Sequence, residues 1–587
     1  MLLAEKMKPL AVICIDEKEI ESQSSQLYFA ARELRYYFGR MSAASFEIKK
    51  TGDGDRAVTL ALASGEDAER LGVDGFRIVA REDGVSIVGG KRGVVYGAYE
   101  LLERLGCRFF TCDCEKIPTS STLEIAPFET EQVPVLEYRE HNYYDVTRNP
   151  KFAVKCRLSG AHHPIPECMG GNISYVWYVH TFNRMVPVHK YGESHPEYFA
   201  LVDGKRLLDG NRTQLCLSNP EVFDLCLESV REALRAHPES KIISISQNDS
   251  KKSCQCENCR KIDLEEGSPS GTLLRFVNRI AEALEPEFPD VIFDTLAYEY
   301  SRPAPKITRN RHNVCVRLCS IECCFAHSFE ECDDDTRGII RPDGTPSSFI
   351  SDLRDWGKVC DRMYIWDYTT CFAHYPSPHP NWRVLQPNLK TMIKNNVRGV
   401  FEQANGASRG GVDFNELRLY LISKLLWDPD CDVAAHRREF MEYYYGAAAD
   451  ALNEYLDLLC DTVERENIHV GFNDNPTHPH FREELLERYN ALFDRAAAAV
   501  AGDPLRLYRV EKNRLSIRWV ALKRKTMLRE EFDPEEINKF FEDWRAFGLS
   551  RIEEWFNIEN THRALLDRHW RALAYFEHWS KEWPEYL

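Results

Sequence analysis

Residues 242–250, IISISQNDS, join a short β-branched apolar run to a polar tip, and this combination decides the expected fold. The pattern recurs between about residues 135 and 403, where short β-rich runs alternate with longer, partly helical segments. Strands joined by such crossovers predict a central (β/α)8 TIM-like barrel, whose strand carboxyl ends and following loops build the active site. The eight predicted strands are 136–144, 173–181, 214–218, 242–247, 291–300, 314–319, 363–368 and 397–402.

Different patterns flank this predicted barrel. The segment GGKRGVVYGAYELLERLGCRFF at residues 89–110 places a glycine turn before an amphipathic helix, and residues 1–130 as a whole predict a small α/β domain. Residues 417–587 are rich in Ala, Leu, Glu and Arg at helical spacing and predict an all-helical C-terminal domain. The expected fold class is therefore α/β, with the barrel over residues 131–416.

Composition excludes several classes of protein. The 587 residues carry 75 Lys and Arg against 92 Asp and Glu, a net charge of −17, without the basic stripe of a nucleic-acid-binding protein. Since no apolar window approaches the roughly 18–20 residues of a membrane span, no membrane partner is expected. The N-terminal MLLAEKMKPLAVICIDEKE lacks signal-peptide features and predicts a cytoplasmic protein. We find no P-loop, GxGxxG, GxSxG or HExxH motif, which disfavours nucleotide, serine-hydrolase and zincin chemistry.

The tryptophans of the helical region are interpreted as helix-packing anchors, and the alternative is a sugar-binding surface or a homodimer interface. They are Trp519, Trp544, Trp555, Trp570, Trp579 and Trp583.

Acidic residues close several of the predicted strands. Asp249 follows Asn248 at the end of one run, and Glu299, Asp367 and Glu402 close three others. A carboxylic acid in such a place can protonate a leaving oxygen, while a neighbouring amide orients a substrate group. At any single position a wet loop, or a turn-forming Asn-Asp pair, explains the residue equally well. For the set of acids that end apolar strands, a functional interpretation is favoured.

Aromatic residues accompany these acids, as they do in sugar-binding clefts. Tyr298 and Tyr300 flank one acid, Trp366 and Tyr368 flank another, and His180 ends an aromatic run. If the strand stays regular, alternation puts both Tyr298 and Tyr300 on the face opposite to Glu299. A lone histidine is more often structural than functional.

Three cysteines directly behind the strand that ends in Asn248 and Asp249 form a C-x-C-x₂-C cluster. Cys254, Cys256 and Cys259 could surround a tetrahedral Zn²⁺ ion, and such thiolate-rich sites are usually structural. A closed site needs a fourth ligand, for which we choose Cys323. The alternative is a set of buried free thiols, since cysteines of a cytosolic chain are expected to be reduced. The other candidates for the fourth ligand are Cys319, Cys324, His327 and Cys332.

Several segments resemble the family catalogued as domain of unknown function 4838, whose characterised branch is glycoside hydrolase family 163, endo-β-N-acetylglucosaminidases acting on N-glycans. The N-terminal segment also resembles the small domain before the barrels of β-hexosaminidases and α-glucuronidases. The likeness covers about the first two predicted domains. It rests on Arg92-Gly93, Tyr96-Gly97, Tyr99-Glu100, Gly106 to Phe110, His180 to Phe182, Pro196 to Phe199, Ser246 to Asp249, Cys256 with Cys259, and Phe276 to Asn278.

The resemblance implies retaining hydrolysis of an N-acetylhexosaminide in an oligosaccharide, with the substrate's acetamide as nucleophile. Asp249 and Asn248 would then orient or polarise the substrate, and Glu299 would be the acid/base. Glu402, the third catalytic candidate, and Asp367 would stabilise charge or bind the sugar, and the roles of the four acids could be exchanged. The aromatic residues and His180 would also bind the sugar. No cofactor is needed for this chemistry, so a metal would be a structural Zn²⁺. Asn-Asp stands where related barrels have an acidic pair.

Two alternatives stay open at this point. One is an α-glucuronidase-like inverting glycosidase with two carboxylates roughly 6.5–9.5 Å apart. The other is a non-catalytic carbohydrate-binding protein, in which Arg or Lys partners would neutralise the carboxylates of the cleft.

Overall fold

A computed structural model describes residues 1–53, 56–528, 530 and 533–567. The protein is a mixed α/β chain with a curled parallel sheet at its centre, an α/β layer before it and helices after it. Among the described residues, every helix is too short or too polar to traverse a lipid bilayer.

The N-terminal layer is a six-stranded mixed sheet covered by two helices. Strand order across the sheet is β6-β4-β5-β3-β1-β2, and β4 and β6 are antiparallel to their neighbours. Helices α1, Gln26–Ser42, and α2, Gly93–Arg104, pack against it through apolar faces. The strands are β1 Val12–Ile15, β2 Ile48–Lys50, β3 Ala57–Leu62, β4 Phe76–Ala80, β5 Gly84–Gly89 and β6 Phe128–Gln132.

The central sheet contains six parallel strands in the order β7-β12-β11-β10-β9-β8. Parallel strands need crossover connections, and helices supply most of them. The strands are β7 Tyr138–His141, β8 Ile242–Ser244, β9 Ile292–Ala297, β10 Val314–Cys319, β11 Met363–Tyr368 and β12 Val397–Gln403. The helices between them are α3 Pro220–Ala236, α4 Glu257–Glu266, α5 Pro269–Leu284, α6 Phe349–Val359 and α7 Leu385–Lys394.

Two irregular segments connect the edges of this curled sheet. The amide of Val176 donates to the carbonyl of Ile242 in β8 at 2.9 Å, and Ile173 donates to Ser159 at 2.8 Å. Ser159 in turn donates to Arg139 in β7 at 3.0 Å. Hydrogen bonds therefore run from one edge strand back to the other.

The predicted strand at 214–218 does not join this sheet. Leu215 instead forms an isolated antiparallel bridge with Phe199, so this segment belongs to an excursion between β7 and β8. Its apolar residues are buried against that excursion, which explains why they looked like a strand of the sheet.

Helices follow the sheet up to residue 567, the end of the described region. They have an apolar core of their own, in which Trp519 and Trp544 are completely buried, whereas Trp555 is exposed. Trp570, Trp579 and Trp583 lie outside the described residues. The helices are α8 Asn415–Trp427, α9 Val433–Tyr445, α10 Ala449–Arg465, α11 Glu483–Ala499, α12 Pro504–Met527, α13 Pro534–Ala546 and α14 Ile558–Leu566.

A buried charge network joins the three parts of the chain. Asp74 of the N-terminal layer pairs with Arg92 at 2.6 Å and with Arg139 of β7 at 3.2 Å. The Arg139 guanidinium also lies 5.2 Å from the ring centre of Trp427 in α8. Since the two arginines share one carboxylate in a dry environment, each partner depends on the other two.

Candidate active site

Glu299 begins the turn after strand β9, and its backbone conformation ends the alternation of side chains between the two faces of the sheet. β9 stops at Ala297, and Glu299 adopts a positive φ of 53°. This conformation is rare outside glycine, costs about 1–3 kcal/mol and clusters at functional sites. As a result Tyr298 and Glu299 both lie near Asp249, although regular alternation predicted opposite faces. The Tyr298 hydroxyl donates a hydrogen bond to Oδ1 of Asp249 at 3.0 Å.

The surroundings of Glu299 favour the protonated form of its carboxyl group. The residue is only 3% exposed. Burial is the main cause that raises its pKa well above the usual value, and the charge of Glu322 adds to it, while Lys251 acts in the opposite direction. A carboxyl group that keeps its proton to a higher pH than an ordinary glutamate is suited to general acid catalysis.

Asn248 and Asp249 differ sharply in their environments. Asn248 is fully buried, and its amide donates to the carbonyl of Thr213 at 2.6 Å while its oxygen accepts from the amide of Asn183 at 3.3 Å. Asp249 is exposed at the tip of the same segment. Asn248 therefore fixes the loop backbone, and Asp249 is the residue of the pair that faces outward.

Asp367 and Glu402 form a second, separate pair of acids. They are direct neighbours on β11 and β12, and they share the outer face of the sheet with Ile365 and Val400, which pack in the main core. Burial raises the pKa of Asp367 to about 6, and burial together with Asp367 raises that of Glu402 well above its usual value. The two acids are 7% and 6% exposed, so this pair is less accessible than Asp249.

The inner face of the sheet carries a polar cluster that our sequence reasoning did not single out. Glu140 of β7 lies 2.9 Å from Nδ1 of His162 and accepts a 3.2 Å hydrogen bond from the Tyr178 hydroxyl. Burial opposes ionisation of Glu140, but His162 and a hydrogen bond from Tyr138 hold its pKa at about 2. Arg317 of β10 donates to the Tyr178 hydroxyl at 2.7 Å. The floor of the site thus holds an ionised carboxylate beside half-exposed rings.

Trp366 and Tyr368 lie on this inner face at different depths. Nε1 of Trp366 donates to Oε1 of Gln403 at 2.7 Å, and its half-exposed ring lies 5.8 Å from the Tyr178 ring. Tyr368 is buried, with the Phe472 ring 5.9 Å away. Trp366 is therefore the more accessible surface for a sugar ring.

His180 and Tyr300 lie at the edges of the site. His180 has a φ of 55°, its Nδ1 lies 2.9 Å from the carbonyl of Gln247, and its ring is 6.1 Å from that of Tyr298. Burial is the main cause that raises the pKa of Tyr300, and the charges that add to it are those of Asp263, Cys259 and Cys254.

The sequence does contain a signal for one member of this inner-face polar cluster. In VCVRLC, residues 314–319, a single arginine interrupts an otherwise apolar strand, and Arg317 is completely buried. A charged residue in such a strand needs buried partners, which indicates a polar inner face. Glu140 lies within the predicted strand 136–144 and carries no separate signal, and His162 lies in a loop that carries no pattern.

The C-x-C-x₂-C cluster acquires a fourth thiol from an unexpected residue. The sulfur atoms of Cys216, Cys254, Cys256 and Cys259 lie within 4.8 Å of one another. Cys323, our choice for the fourth ligand, is not part of this group and packs in the main core, because it follows β10 rather than the excursion after β7. The sulfurs of Cys216 and Cys256 are 3.6 Å apart, close to the separation of about 3.8 Å that tetrahedral Zn–S bonds of 2.3 Å require.

The chain belongs to the family described as Domain of unknown function (DUF4838), whose model matches residues 109–457, more than half of the chain. The matched region includes the whole curled sheet and the residues of the candidate active site. A search of curated protein sequences found no match.

The solved structures that match this chain include glycoside hydrolases. BtGH115A, a family GH115 4-O-methyl-α-glucuronidase with specificity for decorated arabinogalactans, aligns over 93% of this chain and 76% of its own, with a TM-score of 0.56 and 13% identity. Flavobacterium johnsoniae chitobiase aligns over 97% of this chain and 96% of its own, with a TM-score of 0.43 and 10% identity. Streptomyces plicatus N-acetyl-β-hexosaminidase aligns over 76% of this chain and 92% of its own, with a TM-score of 0.42 and 11% identity.

Proposed function

We propose that the protein is a glycoside hydrolase whose curled sheet acts as a (β/α)8 barrel with the active site at the strand carboxyl ends. The observation that carries this proposal is Glu299, a buried carboxyl group with a raised pKa, in a strained turn, beside the exposed carboxylate of Asp249. Environments that separate the proton affinities of neighbouring acids assign acid and base roles in glycosidases.

The proposed substrate is an N-acetylhexosaminide within an oligosaccharide. Glu299 donates its proton to the glycosidic oxygen while the acetamide carbonyl oxygen attacks the anomeric carbon, so that the glycosidic bond breaks and a cyclic intermediate forms. Asp249, oriented by the Tyr298 hydroxyl, accepts a hydrogen bond from the acetamide N–H. Glu299, now a carboxylate, then takes a proton from the water that opens the intermediate with retained configuration.

The inner face supplies sugar-binding groups for this reaction. The half-exposed rings of Trp366, Tyr178 and His162 offer apolar surfaces with polar edges. The side chain of Gln403 can bond sugar hydroxyls, whereas the completely buried carboxylate of Glu140 holds the Tyr178 and His162 rings in place. A few polar groups among aromatic walls are the usual composition of a small-molecule site.

The second candidate function is inverting hydrolysis of a glucuronide, favoured by the fold likeness to the GH115 enzyme over 93% of the chain. In this reaction Glu299 would again be the acid, and the exposed Asp249 would activate water. A uronate would also need a cationic partner, for which Lys251 beside Glu299 is a candidate.

Product analysis distinguishes these proposals. The full chain is incubated with N-acetylglucosaminides, glucuronides and N-glycan oligosaccharides, and products are identified by mass spectrometry. Release from acetamido sugars alone supports the first proposal, and release from glucuronides alone supports the second. If Glu299→Gln retains full turnover of the cleaved substrate, the assigned acid is wrong. Binding without turnover across the panel would instead indicate a carbohydrate-binding protein.

We further propose that Cys216, Cys254, Cys256 and Cys259 bind a structural Zn²⁺ ion. Four thiolates form a closed tetrahedral set with no position for substrate, and the sulfur separation supports this geometry. The ion would fix the excursion between β7 and β8 onto the start of α4, directly behind Asp249, and it takes no part in the reaction.

A further inference from the structure

A second group of sulfur and nitrogen ligands lies outside both sites described above. Cys324, Cys332 and His469 place their ligand atoms within 4.8 Å of one another. Cys324 and Cys332 lie in the loop after β10, whereas His469 lies between α10 and α11 in the helical region. His327 adjoins them, with Nδ1 3.3 Å from the sulfur of Cys324 and its ring 4.7 Å from that of His469.

We propose that Cys324, Cys332, His327 and His469 bind a second structural Zn²⁺ ion. Two thiolates and two imidazoles are a standard closed set for this metal. With Zn–S bonds of 2.3 Å and Zn–N bonds of 2.0–2.1 Å, tetrahedral geometry places sulfur and nitrogen about 3.6 Å apart. The observed separations are 3.3 Å for Cys324 and His327, and 3.7 Å for Cys332 and Nδ1 of His469.

Groups around this set complete the pattern of a metal site. The Cys324 sulfur accepts hydrogen bonds from the amides of Ala326 and Val470, both at 3.4 Å, which stabilise a thiolate. Nε2 of His469 lies 3.2 Å from a carboxylate oxygen of Asp333, so that Nδ1 is left to face the sulfur of Cys332. An outer carboxylate that orients a ligating histidine is common at zinc sites.

The second imidazole, that of His327, meets the cluster through one of its two nitrogens. Nε2 of His327 is buried and has no hydrogen-bond partner among the described residues. A buried imidazole normally satisfies both of its nitrogens. The hydrogen bonding of His327 among the described residues is thus confined to Nδ1 and Cys324, and Nδ1 is the nitrogen that would bind the ion.

The proposed ion would fasten a loop of the helical region to the rim of the curled sheet. The amide of Phe325 donates to the carbonyl of Val470 at 2.8 Å, next to His469. Two residues further on, Phe472 packs against Tyr368 of β11 and accepts a backbone hydrogen bond from Phe372 at 2.8 Å. Metal binding itself does not depend on the proposed glycosidase reaction, but loss of the ion should also disturb this wall of the candidate active site.

Metal content of variants tests the proposal. The full chain is purified without chelators, and zinc per chain is measured by mass spectrometry of the metal. Cys332→Ala and His469→Gln should each contain about one ion fewer than the unaltered protein. Cys323→Ala is the matched control, because Cys323 is a buried cysteine adjacent to Cys324 that belongs to neither cysteine group. Its zinc content should not change. Equal zinc in Cys332→Ala, His469→Gln and the unaltered protein would overturn the proposal.

X-ray absorption at the zinc edge keeps the test decisive if a variant folds poorly. In Cys216→Ala, which lacks the four-thiol site, the remaining zinc should show both Zn–S bonds near 2.3 Å and Zn–N bonds near 2.0 Å. In the unaltered protein the average should also include nitrogen ligands. Zinc with sulfur ligands alone in the unaltered protein, or a Cys324–Cys332 disulfide in unreduced peptides, would show that this second group does not bind metal.

Discussion

Glu299→Gln removes the proton assigned to the general acid and keeps the size of the side chain. Because burial and Glu322 favour the protonated, neutral form of Glu299, the amide introduces no new buried charge, and folding should be preserved. General acid catalysis contributes about 10²–10⁴ in rate. At 1.36 kcal/mol per factor of ten, the substitution should raise the activation barrier by about 3–5 kcal/mol.

The assay compares two glycosides of the same acetamido sugar, one with an alkyl and one with a nitrophenyl leaving group. An alkoxide needs protonation as it leaves, whereas a nitrophenolate does not, so the loss should be at least about 10²-fold for the alkyl glycoside and much smaller for the aryl one. The alkaline limb of the kcat/KM profile should also disappear. Asp263→Asn is a matched control, because it replaces another buried carboxyl group, whose pKa burial raises to about 6, outside the candidate site.

Two results would refute this reasoning. One is an alkyl-glycoside rate within about tenfold of the unaltered protein, which would leave too little for an acid catalyst to explain. The other is an equal loss on both glycosides, which would mean that the substitution damages binding or folding rather than proton transfer. In either case the acid would have to be sought among other carboxyl groups of the inner face.

Three further predictions concern stability, metal and substrate orientation. Since the raised pKa values of Glu402 and Asp367 mean that the folded state binds more protons than the unfolded one, stability should fall as pH rises through about 6. Glu402→Gln should reduce this fall by at least about 1 kcal/mol between pH 5 and 8 in urea unfolding, and an unchanged pH dependence would contradict it. Cys216→Ala should lose about one zinc ion per chain and lower the Tm, and an equally stable variant with full zinc content would leave only buried thiols. Tyr298→Phe should lower turnover of acetamido substrates by about tenfold or more, because a hydrogen bond to a charged group is lost, whereas Tyr300→Phe should have little effect.

The sequence locates strand ends well, because an apolar β-branched run followed by a polar residue is a local signal. Asp249 and Glu299 follow such runs, and the structure brings them together. The same signal gives no side-chain direction at the strand end. Glu402 and Asp367 therefore looked equivalent to Glu299, although the structure places them on the outer face. That distinction depends on where the chain turns, which the positive φ of Glu299 sets.

Long-range partners were beyond the reach of local patterns. Cys216 stands alone in the segment QLCLSNP, 38 positions before Cys254, and only the folded excursion brings the two together. In the same way, nothing near His469 in sequence indicates that it meets the loop after β10. Spacing within one segment predicted a metal site, but only contacts between segments show which fourth thiol lies beside its three cysteines.

The shared carboxylate of Asp74 has a practical consequence for anyone who shortens this chain. A fragment that starts at residue 131 would leave the buried guanidinium of Arg139 without its counterion, and removing one partner of a buried pair costs about 3–5 kcal/mol. A fragment that stops before Trp427 would remove the aromatic ring that packs against the same guanidinium. The domain boundaries predicted from sequence are therefore unsuitable places to truncate the chain. We expect the N-terminal layer, the central sheet and the helices to unfold together in a single transition.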